Sequence, residues 1–255
     1  MEVENKNAST DETINKQADL PGNTGEDPDE HKWCFAWFAN KPHAKDQNER
    51  AALLKDTKWP QGSIITISFL DGRPEVWERV KKAAMQWVAP GMANLTFAFR
   101  KDTTDTDIRI TFKFAGSWSV LGTTCKTADP KQATMNFGWL TKNSTDDEVN
   151  RVVLHEFGHA LGLTHEHMNP GGVIPWNREQ VIKDLSAPPN NWPIETIESN
   201  MFKTYEKKET NFTAIDPNSI MMYPIPKAWT TNGFTVDLNT KLSETDKNFI
   251  RQQYP

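Results

Sequence analysis

Two hydrophobic periods run along this chain, and the switches between them mark its elements. Residues 1 to about 30 have neither: they are polar and acidic, with few large apolar groups, and too little surface to bury against the entropy of ordering. They are expected to be a disordered tail. Residues 31–57 are denser, with Trp33, Phe35, Trp37 and Phe38 followed by a helical-looking run from Asp46 to Lys55. From Trp59-Pro60 onward the pattern is that of a folded core. Ser63 to Phe69 is β-branched and half alternating, which predicts a strand. Asp71-Gly72 turns it, Pro74 suits a first helical turn, and Val76, Trp77, Val80, Ala83, Ala84 and Trp87 recur at helical spacing up to Pro90.

Strands are predicted at Leu95 to Arg100, Asp107 to Phe114 and Ala133 to Phe137. Gly116 to Cys125, small and polar with one tryptophan, is expected to be an irregular loop or an edge strand. Thr145 to Glu148 opens the next helix as a capping box, with acidic groups where the helix dipole favours them. Val149, Val152, Val153, Phe157, Ala160 and Leu161 give that helix its buried stripe. Further helices are predicted from Arg178 to Leu185, from Ile197 to Tyr205, and from Ser243 with Asp246 to about Tyr254. No repeat of 20–50 residues is visible.

The 255 residues, 36% of them hydrophobic, suffice for one large domain or two lobes. Lys plus Arg is 29 against 34 Asp plus Glu, a net charge of −5, which argues against nucleic acid or an anionic membrane as the main partner. No apolar run approaches the roughly 18 residues that span a bilayer. The start, Met1 to Lys6, has no basic and apolar leader pattern, so a secretory signal is not expected. The two cysteines, Cys34 and Cys125, form no paired metal or redox motif.

The chemistry is concentrated in one helix. It reads His155-Glu156-Phe157-Gly158-His159, and spacing of i, i+4 sets both imidazoles on one face, one turn apart, where they can share a metal. Glu156 lies about 100° further round, where a general base for water belongs. Gly162 can take the left-handed conformation that ends a helix, which lets His165 approach the same ion from outside. Three neutral nitrogens leave a fourth tetrahedral position open. Given this chain's own composition, the full spacing arises by chance about once in 10⁵.

With Glu166 directly after His165, and Ser219-Ile220-Met221-Met222-Tyr223 downstream, the sequence resembles the metzincin zinc endopeptidases, and among them the astacin type, over roughly residues 58–255. The resemblance implies that Met221 lies in a Met-turn as an apolar floor under the zinc histidines. It implies that Tyr223 can ligate zinc at rest and swing to stabilise the transition state. It implies too that Glu166 matches the residue that binds a trimmed N-terminus. Met222 stands where the family usually has His, Leu163 where it has an aromatic residue, and the domain holds Cys125 alone where the family typically has four cysteines.

The expected fold is therefore α+β: a metzincin-type zincin with a twisted mixed β-sheet upper lobe (about 58–164), an active-site helix, and a mainly helical or irregular lower lobe with a Met-turn (about 165–255). Residues 1–57 are expected to be a tail or pro-like extension. The expected activity is hydrolysis of internal peptide bonds with one Zn²⁺ held by His155, His159 and His165, Glu156 as general base and Tyr223 assisting. A non-catalytic zinc-containing binding module using the same cleft is the alternative. Protein or peptide is the expected substrate and the chain is expected to be monomeric, with neither nucleic acid nor membrane involved. An upper-lobe strand within 116–139 is expected to pair with extended substrate. Cys34 is a candidate zinc-blocking thiolate, a disulfide partner of Cys125, or a free thiol. The family's members are mostly secreted, and the compartment of this chain is left open.

Overall fold

The computed structural model describes residues 34–37, 55–101, 105–188, 190–204 and 213–255. Six strands form one sheet: β1 (Cys34–Trp37), β2 (Ile64–Phe69), β3 (Thr96–Arg100), β4 (Ile108–Thr111), β5 (Ser117–Val120) and β6 (Met135–Phe137), in the order β1-β5-β6-β4-β2-β3. Only β5 and β6 pair antiparallel; the other neighbours are parallel, so the sheet is mixed as expected. The stretch expected to be a loop or edge strand divides into β5 and a 3₁₀ turn, Gly122–Thr127. β5 is second from the edge, because Cys34–Trp37 adds outside it in parallel, Phe35 opposite Trp118. The helical run expected at 46–55 lies almost entirely outside the described residues, as does the tail, and Cys34 is placed by its backbone alone.

Helix α1 (Pro74–Ala84) passes into a 3₁₀ turn, Met85–Val88, and packs against α2 (Asp146–Ala160), which crosses β5 and β1. The Thr145 hydroxyl accepts from the Glu148 amide at the start of α2. From Val152 to Ala160 every residue of α2 is buried, so the helix is enclosed on all sides rather than along one stripe. Its carbonyls find side-chain donors: Trp87 Nε1 donates to Leu154 O at 3.0 Å, and Trp59 Nε1 donates to Ala160 O at 2.7 Å. The helix stops in a Schellman arrangement, with Gly162 N donating to His159 O and Leu163 N to Gly158 O, and Gly162 at φ 92°.

The lower part holds α3 (Arg178–Ser186) and α4 (Ile194–Ile197), which runs into a π-helical turn, Glu198–Phe202. This element starts and ends earlier than the predicted 197–205. Two apolar clusters result. One gathers Trp59, Ile65, Ile67, Trp87, Met135, Phe157 and other upper-lobe residues; the other gathers Val181, Leu185, Trp192, Ile197, Ile225 and Trp229. The last helix, α5 (Glu244–Gln253), departs from the expected lobes. Leu242, Ile250 and Tyr254 belong to the upper cluster, and Tyr254 Oη donates to Leu161 O at 2.7 Å while accepting from Trp59 N. Among the described residues no helix is long and apolar enough to cross a membrane.

Candidate active site

His155 and His159 arrive on α2, one turn apart, with ring centroids 4.7 Å apart. The Gly162 turn then reverses the chain, and Glu166 N donates to Met221 O at 2.9 Å, pinning the segment after the turn to the downstream limb. That brings the His165 ring to 4.7 Å from His159 and 5.2 Å from His155. One nitrogen from each of the three rings lies within 4.8 Å of the others, and all three residues are buried.

The tautomers follow from the outer partners. His155 Nδ1 is 2.8 Å from Ile220 O and His159 Nδ1 is 2.8 Å from Leu163 O. A carbonyl can only accept, so both Nδ1 atoms carry hydrogen and both Nε2 atoms present lone pairs to the centre. His155 Nε2 is buried and has no hydrogen-bond partner among the described residues, a costly arrangement unless something binds it. His159 Nε2 and His165 Nε2 are 3.2 Å apart. Two nitrogens on one tetrahedral zinc are separated by roughly 3.3 Å, so the donor set fits that ion. Burial pushes the His155 and His165 pKa values well below the ordinary imidazole value, helped by the neighbouring histidines, and lowers His159 to about 4. The rings are thus neutral near pH 7, the form a metal needs.

Glu156 follows His155 on α2 and is fully buried. A Cβ on Gly158 would collide with Met221 Sδ, so glycine at this position is what lets the methionine pack against α2. Tyr223, two residues on, packs its ring 4.2 Å from His165 and 6.0 Å from His155. The three histidines and Tyr223 therefore meet in one place, with Glu156 next to His155 on α2.

Two further residues, to which the sequence assigns no role at this site, also reach it. Asp246, expected only as a helix cap, is buried and accepts from Ser219 Oγ (2.6 Å), Ile220 N (2.8 Å) and Ser243 N (2.9 Å). It therefore fixes Ile220, the residue whose carbonyl orients His155. His167, noticeable only as one of four histidines between 155 and 167, stacks on Tyr223 at 4.9 Å. Glu166 Oε1 accepts from Asn169 Nδ2 and Asp216 N, each at 3.0 Å, and burial pushes its carboxyl up to about 7. Cys125 is a buried free thiol raised to about 12 by burial, so no disulfide joins it to Cys34.

The family model for the astacin peptidases matches residues 52–253. Among solved structures, one of myroilysin is 44% identical, covers 80% of this chain and 98% of that chain, and superposes with a TM-score of 0.77. A crystal structure of myroilysin is 40% identical, covering 88% and 91%, with a TM-score of 0.63. High choriolytic enzyme 1, a hatching enzyme zinc-protease from Oryzias latipes (Medaka fish), shares the fold at 18% identity and a TM-score of 0.54, over 78% of this chain and 94% of that one. A search of curated proteins finds no match. With that family model spanning most of the chain and three buried histidines converging on one point, the chain belongs to the astacin family of zinc metalloendopeptidases.

Proposed function

We propose that His155, His159 and His165 hold the catalytic zinc, that Glu156 is the general base and that Tyr223 stabilises the oxyanion. The supporting observation is the buried, partnerless Nε2 of His155 within 4.8 Å of a ring nitrogen from each of His159 and His165. Zinc, when bound there, lowers the pKa of water and polarises a carbonyl. Glu156 accepts the proton of the attacking water and returns it to the departing amine nitrogen. Tyr223 donates its hydroxyl hydrogen to the oxygen that gains charge, a contact worth about 2.7–4 kcal/mol in comparable sites. The substrate is protein or peptide, bound extended, and the chain acts as a monomer with neither nucleic acid nor membrane in the reaction.

Residues 58–255 are the catalytic unit in this reading, and residues 1–57 a pro-like extension. Its support is β1, which occupies the outer edge of β5, the strand nearest α2 on which an extended substrate would otherwise pair. The test is cleavage of a diverse peptide mixture read by mass spectrometry, with and without chelator, using the full chain, the chain trimmed to residue 58, and Glu156→Ala. Chelator-sensitive cuts that Glu156→Ala lacks and trimming enhances are expected. Equal cleavage by Glu156→Ala would remove the assignment of the base, and no gain on trimming would remove the pro-like reading.

A further inference from the structure

His167 is 2% exposed and none of its contacts is explained by holding zinc. Its ring packs against three others: 4.9 Å and 25° from Tyr223, 5.4 Å and 20° from His165, with the Trp176 ring edge-on at 6.1 Å. Its Nε2 is 2.7 Å from the carbonyl of Asn200, so Nε2 carries the hydrogen and donates. Asn200 lies in the π-helical turn Glu198–Phe202, a geometry that recurs at functional sites. Asn200 Nδ2 in turn donates to Thr196 O at 2.8 Å, which anchors that turn to α4. Phe202 closes the circuit by packing on Trp176 at 6.0 Å, with the Arg178 guanidinium 4.0 Å above its ring.

The Tyr223 ring therefore has the zinc-site histidines on one side and His167 on another, and His167 is tethered to the lower lobe by a directional bond. A phenylalanine would stack but not be tethered, and an amide side chain would be tethered but not stack. Position matters here because a phenol oxygen stands far from its Cα. A tilt of about 10° moves it by roughly 1 Å, and misplacement on that scale can cost about 100-fold in rate.

We propose that His167 is a positioning residue for Tyr223, holding the tyrosine ring in register with His155 and His165 and tying that register to the turn Glu198–Phe202. The proposal rests on the reading of Tyr223 as the oxyanion donor, and the experiment separates the two. The chain has three tyrosines, so 3-fluorotyrosine labelling of the full metal-free chain gives three ¹⁹F resonances, and the one absent from Tyr223→Phe is Tyr223. In His167→Ala that resonance alone is expected to shift and change width, while in His167→Phe it stays close to its original position. In the active zinc-loaded enzyme, Tyr223→Phe is expected to lower kcat by about 100-fold. His167→Ala is expected to lower it by about 10-fold, with KM within about twofold and one zinc retained, and His167→Phe to recover most of the loss. The double variant His167→Ala/Tyr223→Phe is expected to be no slower than Tyr223→Phe alone.

An unmoved Tyr223 resonance, or a His167→Ala loss that persists in full in the Tyr223→Phe background, overturns the proposal. Loss of zinc in proportion to activity overturns it as well. A moved resonance with an unchanged kcat in Tyr223→Phe overturns the catalytic half and identifies the tyrosine's role, not the stacking, as the point of failure. Should His167→Ala not fold, His167→Leu carries the test, because it fills the space without offering a flat ring. Its Tyr223 resonance must then shift and its kcat fall, and the fall must vanish without the Tyr223 hydroxyl.

Discussion

The two limbs that meet at the zinc site are built in opposite ways. The α2 limb is local: His155, Glu156 and His159 sit within five residues of one helix, whose turns and cap set their relative positions. The downstream limb is assembled at a distance. Ser219 to Tyr223 is placed by Asp246 from the start of α5, by Glu166 from beyond the Gly162 turn, and by His167, with no regular element of its own. Even its apolar residues are divided, Ile220 and Met221 joining the upper cluster and Met222 and Tyr223 the lower one. The chemistry of the first limb is specified by spacing. That of the second is specified by burial and hydrogen bonds between residues far apart in sequence, so damage to it should spread.

The largest effect is expected on the local limb, where function separates cleanly from structure. Glu156→Ala should lower kcat by about 10²–10⁴-fold while the fold and one zinc per chain are retained, as read by peptide cleavage and metal analysis. If zinc binding also fails, the local limb is less self-contained than its geometry indicates. On the distant limb, Asp246→Ala removes three hydrogen bonds at once and leaves the Ile220 peptide unanchored. It should cost about 3 kcal/mol of stability in urea unfolding and about 10–100-fold in zinc affinity, although Asp246 touches no histidine. A variant that loses stability but binds zinc normally would break the link drawn from Asp246 through Ile220 to His155.

Acidification tests both limbs together. Burial holds His159 and His167 at about 4 against 6.5 for free imidazole. Between those values the unfolded chain binds protons that the folded chain refuses, so stability is full above pH 6.5 and falls as pH drops towards 4. In the metal-free chain the loss is about 3 kcal/mol per histidine. Glu166, raised to about 7, acts in the opposite sense: its contribution is present below 4.5 and is lost as pH rises through 7. Unfolding curves of the metal-free chain and His167→Phe from pH 4 to 8 should therefore diverge on the acid side. Superimposable acid limbs would show that His167 is not held neutral.

Smaller effects are expected where the limbs touch and where neither reaches. Gly158→Ala places a methyl group against Met221 Sδ and should destabilise by about 1–3 kcal/mol, with Met221→Ala relieving part of the loss. Cys125, far from both limbs in function and raised to about 12, should resist alkylation at pH 8 until the chain unfolds, as followed by peptide mass mapping.

What the sequence reveals follows the same division. The spacing from His155 to His165, the Thr145 cap and the Gly162 stop are decided within a few residues, and the structure places them as read. β5 is legible only as a loop or edge strand, because what makes Ser117–Val120 a strand is pairing with β6 and with Cys34–Trp37, some 80 residues upstream. Asp246 reads as an ordinary cap residue, and its capping role is present. Its bonds to Ser219 and Ile220, across 27 and 26 residues, leave no periodic trace. His167 is visible as a histidine but not as a stacked one, since Tyr223 and Asn200 are its neighbours only after folding.

Tyr254 gives the chain a particular order of completion. Its phenol joins the Trp59 amide to the Leu161 carbonyl at the end of the zinc helix, so the last helix seals a core whose other parts are synthesised first. Topologically, the lower lobe is an excursion from that core: the chain leaves after Leu163, touches back at Ile220 and Met221, and returns for good at Leu242. An excursion held at three points can change in length between them without altering the frame that carries His155 and His159. A ribosome must release α5 before that frame is closed, so the metal site is completed only some 80 residues after its last histidine has emerged.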